Sequence, residues 1–260
     1  MSTSRVLAAV FLACLGLTAL AQEEVPKHLQ IARDIVANVK PENNTYSNKP
    51  RYIRFPGDLF TSEYTVRTDC TGFVEAVLYK AFDMRPKFSA HYSTYYGGYS
   101  PVGWVDGIDK GETFDKIEHV QDMQPGDILI YKYIVKPDGP EYQYFEGHAM
   151  IVDAAPKRIE PQVMPKFEGT VQWEVRILDS SDGPMSFDDS RYVPTPGVTD
   201  IKEWKSKQRN GAGRGKVYIF TDADGNIKAE SGGFPKSRVW MQDKERRVVM
   251  ARVRYNEFKK

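Results

Sequence analysis

Three short stretches hold the side chains best suited to covalent chemistry: "TDCTGFV" at 68–74, "QPGDILIYK" at 124–132 and "GHAMIVDAA" at 147–155. Cys70 follows Asp69, a good N-cap residue, and precedes Phe73, Val74, Val77, Leu78, Ala81 and Phe82 at three-to-four spacing. That pattern places the cysteine in the first turn of an amphipathic helix over 70–82. Unpaired backbone N–H groups and the helix dipole favour negative charge there, so a thiolate and an oxyanion forming beside it are both stabilised. His148 opens an apolar strand, which holds an imidazole rigidly enough to act as general base and acid. A third polar group is then needed to fix its tautomer. Taken one at a time, a buried structural thiol and a satisfied core imidazole are the simpler readings. Their combination points to nucleophilic catalysis.

In this order, D-C-T-G-F-V, P-G-D-I and G-H-A-M-I-V resemble the motifs of the bacterial NlpC-type cell-wall peptidases, D-C-S-G-[FL]-[VI], P-G-D-[LI] and G-H-[VA]-[GA]-[IL]. The resemblance covers roughly residues 64–180, under half the chain. It implies a papain-like α+β fold with the nucleophile at a helix N-terminus packed on an antiparallel sheet. It also implies Cys70 as nucleophile, His148 as base, and an amide bond of a peptidoglycan stem peptide as substrate, cut by an endopeptidase or amidase. Thr71 replaces the usual serine and Met150 a small residue. The family's orienting group, often a second histidine, would fall where this chain has the loop "PKRIEPQV". Asp179 in "RILDSS" is expected in its place, with Ser180 and Asp182 as alternatives. Tyr64 lies where related enzymes place a substrate-binding tyrosine, and Asp69 and Thr71 flank the nucleophile. His91, Tyr95 and Tyr96 belong to an aromatic stretch, "FSAHYSTYYGGYSPVGWVDG", that either packs over the core or walls a groove for an extended peptide or sugar. The missing second histidine leaves an alternative: a catalytically inactive protein that holds cell-wall peptide or a protein partner in the same groove.

Other elements must position these groups. Leu29, Ala32, Ile35, Val36 and Val39 share one face of a helix over 27–39, with His28 toward solvent. Residues 83–124 read as a loop-rich insertion with one or two short helices. "QPGD" makes a turn into a strand at 128–135, followed by strands at 148–155 and 171–179. A short helix near Ile201–Ser206 interrupts a second loop-rich stretch, a hairpin turns at Asp224–Gly225, and "RRVVMARVRY" closes the chain as a strand. A helical first part and antiparallel strands later give an α+β reading. "NGAGRGKVYI" lacks the Gly-Lys-Ser/Thr ending of a phosphate loop and leads into a strand, so no nucleotide role follows. No cysteine pair or H-x-x-x-H spacing suggests a metal, and no cofactor is expected.

Residues 1–21 read as a secretory signal peptide: Arg5, the apolar run "VLAAVFLACLGLTAL", and "ALA" before Gln22. Acylation at Cys14 is disfavoured, because Phe11 and Leu12 fit a lipobox poorly. The mature chain, 22–260, is then one exported domain, periplasmic or extracellular, with a C-terminal β extension from about 180. Cleavage leaves 35 basic against 35 acidic side chains, which argues against nucleic acid as partner. It also leaves Cys70 as the only cysteine, a thiol that in an oxidising compartment needs burial or a use.

Overall fold

A computed structural model describes residues 25–58, 61–83, 85–89, 98–136 and 146–254; the stretch expected to be a leader, with Cys14, lies outside them. The elements run α1 (Lys27–Asn38), β1 (Asn44–Tyr46), β2 (Tyr52–Arg54), β3 (Thr65–Thr68), α2 (Cys70–Phe82), α3 (Pro101–Asp109), β4 (Phe114–Ile117), β5 (Ile128–Tyr133), β6 (Gly147–Val152), β7 (Lys157–Ile159), β8 (Val171–Ser181), α4 (Ile201–Lys207), β9 (Gly211–Thr221), β10 (Ile227–Gly232), β11 (Val239–Met241) and β12 (Arg246–Val253). Strands β4–β12 form one nine-stranded antiparallel sheet, in the order β11-β10-β9-β8-β6-β5-β12-β4 with β7 beside β8. A separate three-stranded sheet has the order β1-β3-β2.

This architecture corrects the expected papain-like α+β fold. Among the described residues the body is mostly β, two sheets against four α-helices. The difference arises where segments read as loop become strands: β1–β3 between the first two helices, β4 inside the stretch read as a loop-rich insertion, and β11 beside the expected hairpin. The strand that closes the chain is not peripheral. β12 lies between β5 and β4, with Val249 opposite Ile130 and Met250 opposite both Leu129 and Ile117.

Period-two alternation sorts the large sheet into two main cores, beside a smaller cluster of Tyr218, Phe220 and Ala229. Val249, Ala251, Ile128, Ile130, Ala149, Ile151 and Leu178 pack with Leu29, Phe73, Val77 and Trp104 of the helices. Val248, Met250, Leu129, Met150, Val152, Val175 and Ile177 form the other core. Each buried Val or Met side chain is worth about 1.5–3 kcal/mol, and a whole domain is stable by only about 5–15 kcal/mol. Deleting residues 246–260, which removes β12, is therefore expected to abolish folding, seen as loss of the cooperative thermal transition in circular dichroism.

Helix α1 packs on α2 through Leu29, Ala32 and Ile35. His28, expected to face solvent, is instead fully buried, and its Nε2 lies 2.6 Å from the Gly126 carbonyl oxygen. Gly126 has φ +97° in the "QPGD" turn, and a Cβ there would lie 3.1 Å from that imidazole nitrogen. The turn and the first helix thus dock through a residue read as surface. In the aromatic stretch, Phe88 packs edge-on against Tyr99 and Trp104, and Trp104 is wholly buried.

Candidate active site

Cys70 is the first residue of α2. Its N-cap, Asp69, accepts a hydrogen bond from the Gly72 amide at 2.8 Å, which fixes the entry of the helix. The chain reaches this point from β3, and β1 runs parallel to β3 with Tyr46 in register with Thr68. That register carries the Tyr46 ring to the cysteine. Ser180 donates to the Thr68 carbonyl at 2.8 Å, tying the end of β8 to the residue just before Asp69. Ser180 therefore clamps the backbone rather than orienting the imidazole.

His148 projects from β6, opposite Tyr131 of β5. Gly147 before it has φ +151°, and a Cβ there would come within 1.9 Å of the Tyr131 carbonyl oxygen, so only glycine lets the two strands close at this point. The imidazole is 7% exposed, and its Nε2 lies 2.6 Å from Asp179 Oδ2 on β8. With Nε2 engaged by Asp179, Nδ1 is the ring nitrogen left to serve Cys70, whose charge acts on the imidazole. Burial lowers the imidazole's proton affinity, but the charge of Cys70, the bond to Asp179 and the bond to Cys70 outweigh it and push the pKa up to about 10. His148 is thus an imidazolium at neutral pH, beside a sulfur and a carboxylate.

Asp179 is fully buried. Burial pushes its pKa up, yet the Arg191 guanidinium and then His148 more than offset this and hold it below the usual carboxylate range. Arg191 Nη2 forms an ion pair with Asp179 Oδ1 at 2.8 Å. The carboxylate therefore keeps its charge and presents one oxygen to each cation.

The cleft at the sulfur is lined by Tyr46, Arg51, Tyr99, Pro101 and Glu146. The Tyr46 phenol is pushed up by burial and by Cys70, Asp69 and Asp182 nearby, so it stays protonated and can donate. Asp69 and Thr71, expected to bind substrate, do border the cleft, but Arg51 occupies both: Nε lies 3.1 Å from Asp69 Oδ1 and Nη2 donates to Thr71 Oγ1 at 3.3 Å. Burial raises the Asp69 carboxyl above its ordinary value even with Arg51 opposing. Tyr64 stands elsewhere, half-buried and edge-on to Phe55 with ring centroids 6.0 Å apart, and is not among the cleft residues. His91, Tyr95 and Tyr96 lie outside the described residues. The sequence reading missed Tyr46, Arg51 and Arg191. Only their neighbours in the fold give them meaning, and none sits in a motif. Among the described residues no cluster of three or more His, Cys, Asp or Glu side chains is arranged to hold a metal, and no helix is long and apolar enough to cross a membrane.

No protein-family model matches the chain, and no solved structure matches it with significance. Among curated proteins, an uncharacterized protein of Acanthamoeba polyphaga mimivirus is 24% identical over 196 residues, which span 73% of this chain and 79% of the relative.

Proposed function

We propose that the protein is an exported cysteine hydrolase that cleaves an amide bond through an acyl-enzyme on Cys70. The observation that carries this reading is the buried His148–Asp179 pair, Nε2 to Oδ2 2.6 Å, whose imidazole feels the charge of Cys70 at the head of α2. In this mechanism the Cys70 thiolate attacks the carbonyl carbon and the C=O electrons move onto oxygen. Backbone N–H groups at the start of α2 and the Tyr46 hydroxyl are placed to stabilise that oxyanion. The intermediate collapses, the C–N bond breaks, and the His148 imidazolium gives its Nδ1 proton to the leaving amine. Neutral His148 then takes a proton from water, whose hydroxide attacks the thioester. The acid leaves, and Cys70 returns as thiolate beside a recharged imidazolium.

The likeness of the three motifs to those of the NlpC-type cell-wall peptidases, together with the leader, supports a peptidoglycan stem peptide as the substrate class. Incubation of purified muropeptides with the mature chain, followed by mass spectrometry, tests this. New amine and carboxyl termini that vanish with Cys70→Ala are expected. Retention of muropeptide without product, unchanged by Cys70→Ala, would instead favour the binding-only reading; the assembled His148–Asp179 pair argues against it.

Asp179→Asn is expected to lower kcat/KM by about 10²–10⁴-fold. The sign of its pH effect follows from the charges. Asp179 helps to raise His148, so its loss lowers the imidazole pKa. Proton donation to the leaving amine then fails at lower pH, and the alkaline limb of the pH–rate profile moves down from its wild-type position near pH 10.

A further inference from the structure

The stretch "NGAGRGKVYI", which has no place in the mechanism above, becomes β9, and three of its glycines alternate along it. In the antiparallel pairing with β8, Gly211 lies opposite Ser181, Gly213 opposite Asp179, and Gly215 opposite Ile177. Directly opposed residues share a face, so these glycines clear one strip of the sheet beside Asp179. A Cβ at Gly213 would lie 2.5 Å from Arg191 Nε, and one at Gly215 would lie 2.4 Å from Asp189 Oδ2. Neither could be accommodated without moving a buried charged group. The strip is therefore a seat for the segment that carries Asp189 and Arg191.

Arg191 is held there on every side. Its Nε and Nη2 donate to the two Asp189 carboxylate oxygens at 2.9 and 2.8 Å, and Nη1 donates to the Gly211 carbonyl at 3.0 Å. Asp189 is itself fixed, accepting from the backbone amides of Met185 and Arg191. The guanidinium is 1% exposed, so its orientation has little freedom, and its Nη2 meets Asp179 Oδ1 at 2.8 Å. A carboxylate at the end of a strand can rotate about two side-chain bonds. Here Oδ1 faces the fixed guanidinium as an ion pair, without a directed hydrogen bond, and Oδ2 faces His148.

We infer that Arg191, gripped by Asp189 and seated over the glycines of β9, is the positioning residue that holds Asp179 in register with His148. The inference rests on the proposed Cys70–His148–Asp179 chemistry and extends it by two buried residues and a glycine pattern. It gives the glycine-rich strand a role in geometry, not in ligand binding.

Two variants test it in the full mature chain. Gly213→Ala changes no charge and displaces the guanidinium; Arg191→Lys keeps one cation near Asp179 but loses the two-point grip on Asp189. The readouts are the rate of Cys70 alkylation by iodoacetamide at pH 6, the His148 titration by NMR, and the thermal midpoint to establish folding. In folded Gly213→Ala, alkylation is expected to slow by about 10²-fold, the cost of a catalytic group misplaced by about an ångström, with His148 titrating at lower pH. Arg191→Lys is expected to fall between it and wild type, and it decides the matter if Gly213→Ala does not fold. Wild-type alkylation rate and wild-type His148 titration in the folded variants would overturn the inference. If wild-type Cys70 itself proves no more reactive than free cysteine, the parent reading fails. The His148 titration still decides: a shift in the variants supports the positioning role and no shift overturns it.

Discussion

Cys70→Ala is expected to abolish amide hydrolysis, lowering kcat/KM by at least about 10⁴-fold, while leaving the fold intact. The size of the effect follows from the position of the sulfur. Residual rate after loss of a nucleophile comes only from water attack assisted by the remaining donors, here the α2 N–H groups and Tyr46. The side chain is small and 5% exposed, so its truncation leaves a minor cavity and a loss of stability of about 1 kcal/mol. His148 should report the change directly. The charge of Cys70 is the largest influence raising its pKa, so in Cys70→Ala the imidazole is expected to titrate well below its wild-type value of about 10. Product analysis, a thermal melt and an NMR titration on one variant separate chemistry from folding.

Among the point substitutions, Arg191→Met carries the largest expected cost in stability, about 3–5 kcal/mol. The methionine fills much of the same volume, so packing is not the main loss. The variant leaves Asp179 and Asp189 buried without their shared cation; Arg191 is the largest influence holding Asp179 below the ordinary carboxylate range. Breaking a buried pair from one side strands a charge, whereas an exposed pair such as Lys40–Glu63 is worth about 0–1 kcal/mol at most. For a chain of this size the thermal midpoint is expected to fall by about 10 °C. Lys40→Ala, as the control, should move it little. Equal shifts for the two would show that the buried cation carries no special burden.

How much of this could be read from the sequence differs by element. The helix over 70–82 was legible because its apolar spacing and its N-cap agree, and Cys70–Phe82 is what forms. The turn at Asp224–Gly225 was legible from its local chemistry, with Gly225 at φ +90° between β9 and β10. The architecture was not. β1, β2 and β3 are three or four residues long, too short to show a period, and β12 pairs across the chain with β4 and β5, a relation no local pattern encodes. The unread short strands turn an expected α+β body into a mostly β one, and the pairing of β12 sets the order of its large sheet. The contact of His148 with Asp179 joins the expected base to the residue expected in place of the missing second histidine. Arg191 was hidden because it falls in the second loop-rich stretch, outside any motif, and the glycine strip of β9 makes room to bury it. Tyr46 was hidden because it owes its place to strand register alone.

The central claim, a thiolate held by an imidazolium in the buried Cys70–His148–Asp179 chain, is tested most directly by the pH dependence of Cys70 alkylation. The mature chain and His148→Ala are treated with iodoacetamide between pH 6 and 9, and the rate is followed by intact mass. The proposed mechanism requires a protonated His148 beside the sulfur throughout this window, and the ring's pKa is pushed up to about 10. Wild-type Cys70 is therefore expected to react rapidly at pH 6 with a nearly flat profile. His148→Ala is expected to react slowly at pH 6 and to climb by about tenfold per pH unit, as an unassisted thiol does below its pKa. A wild-type cysteine that reacts at pH 6 no faster than free cysteine, and climbs like the variant, would contradict the ion pair and the mechanism built on it.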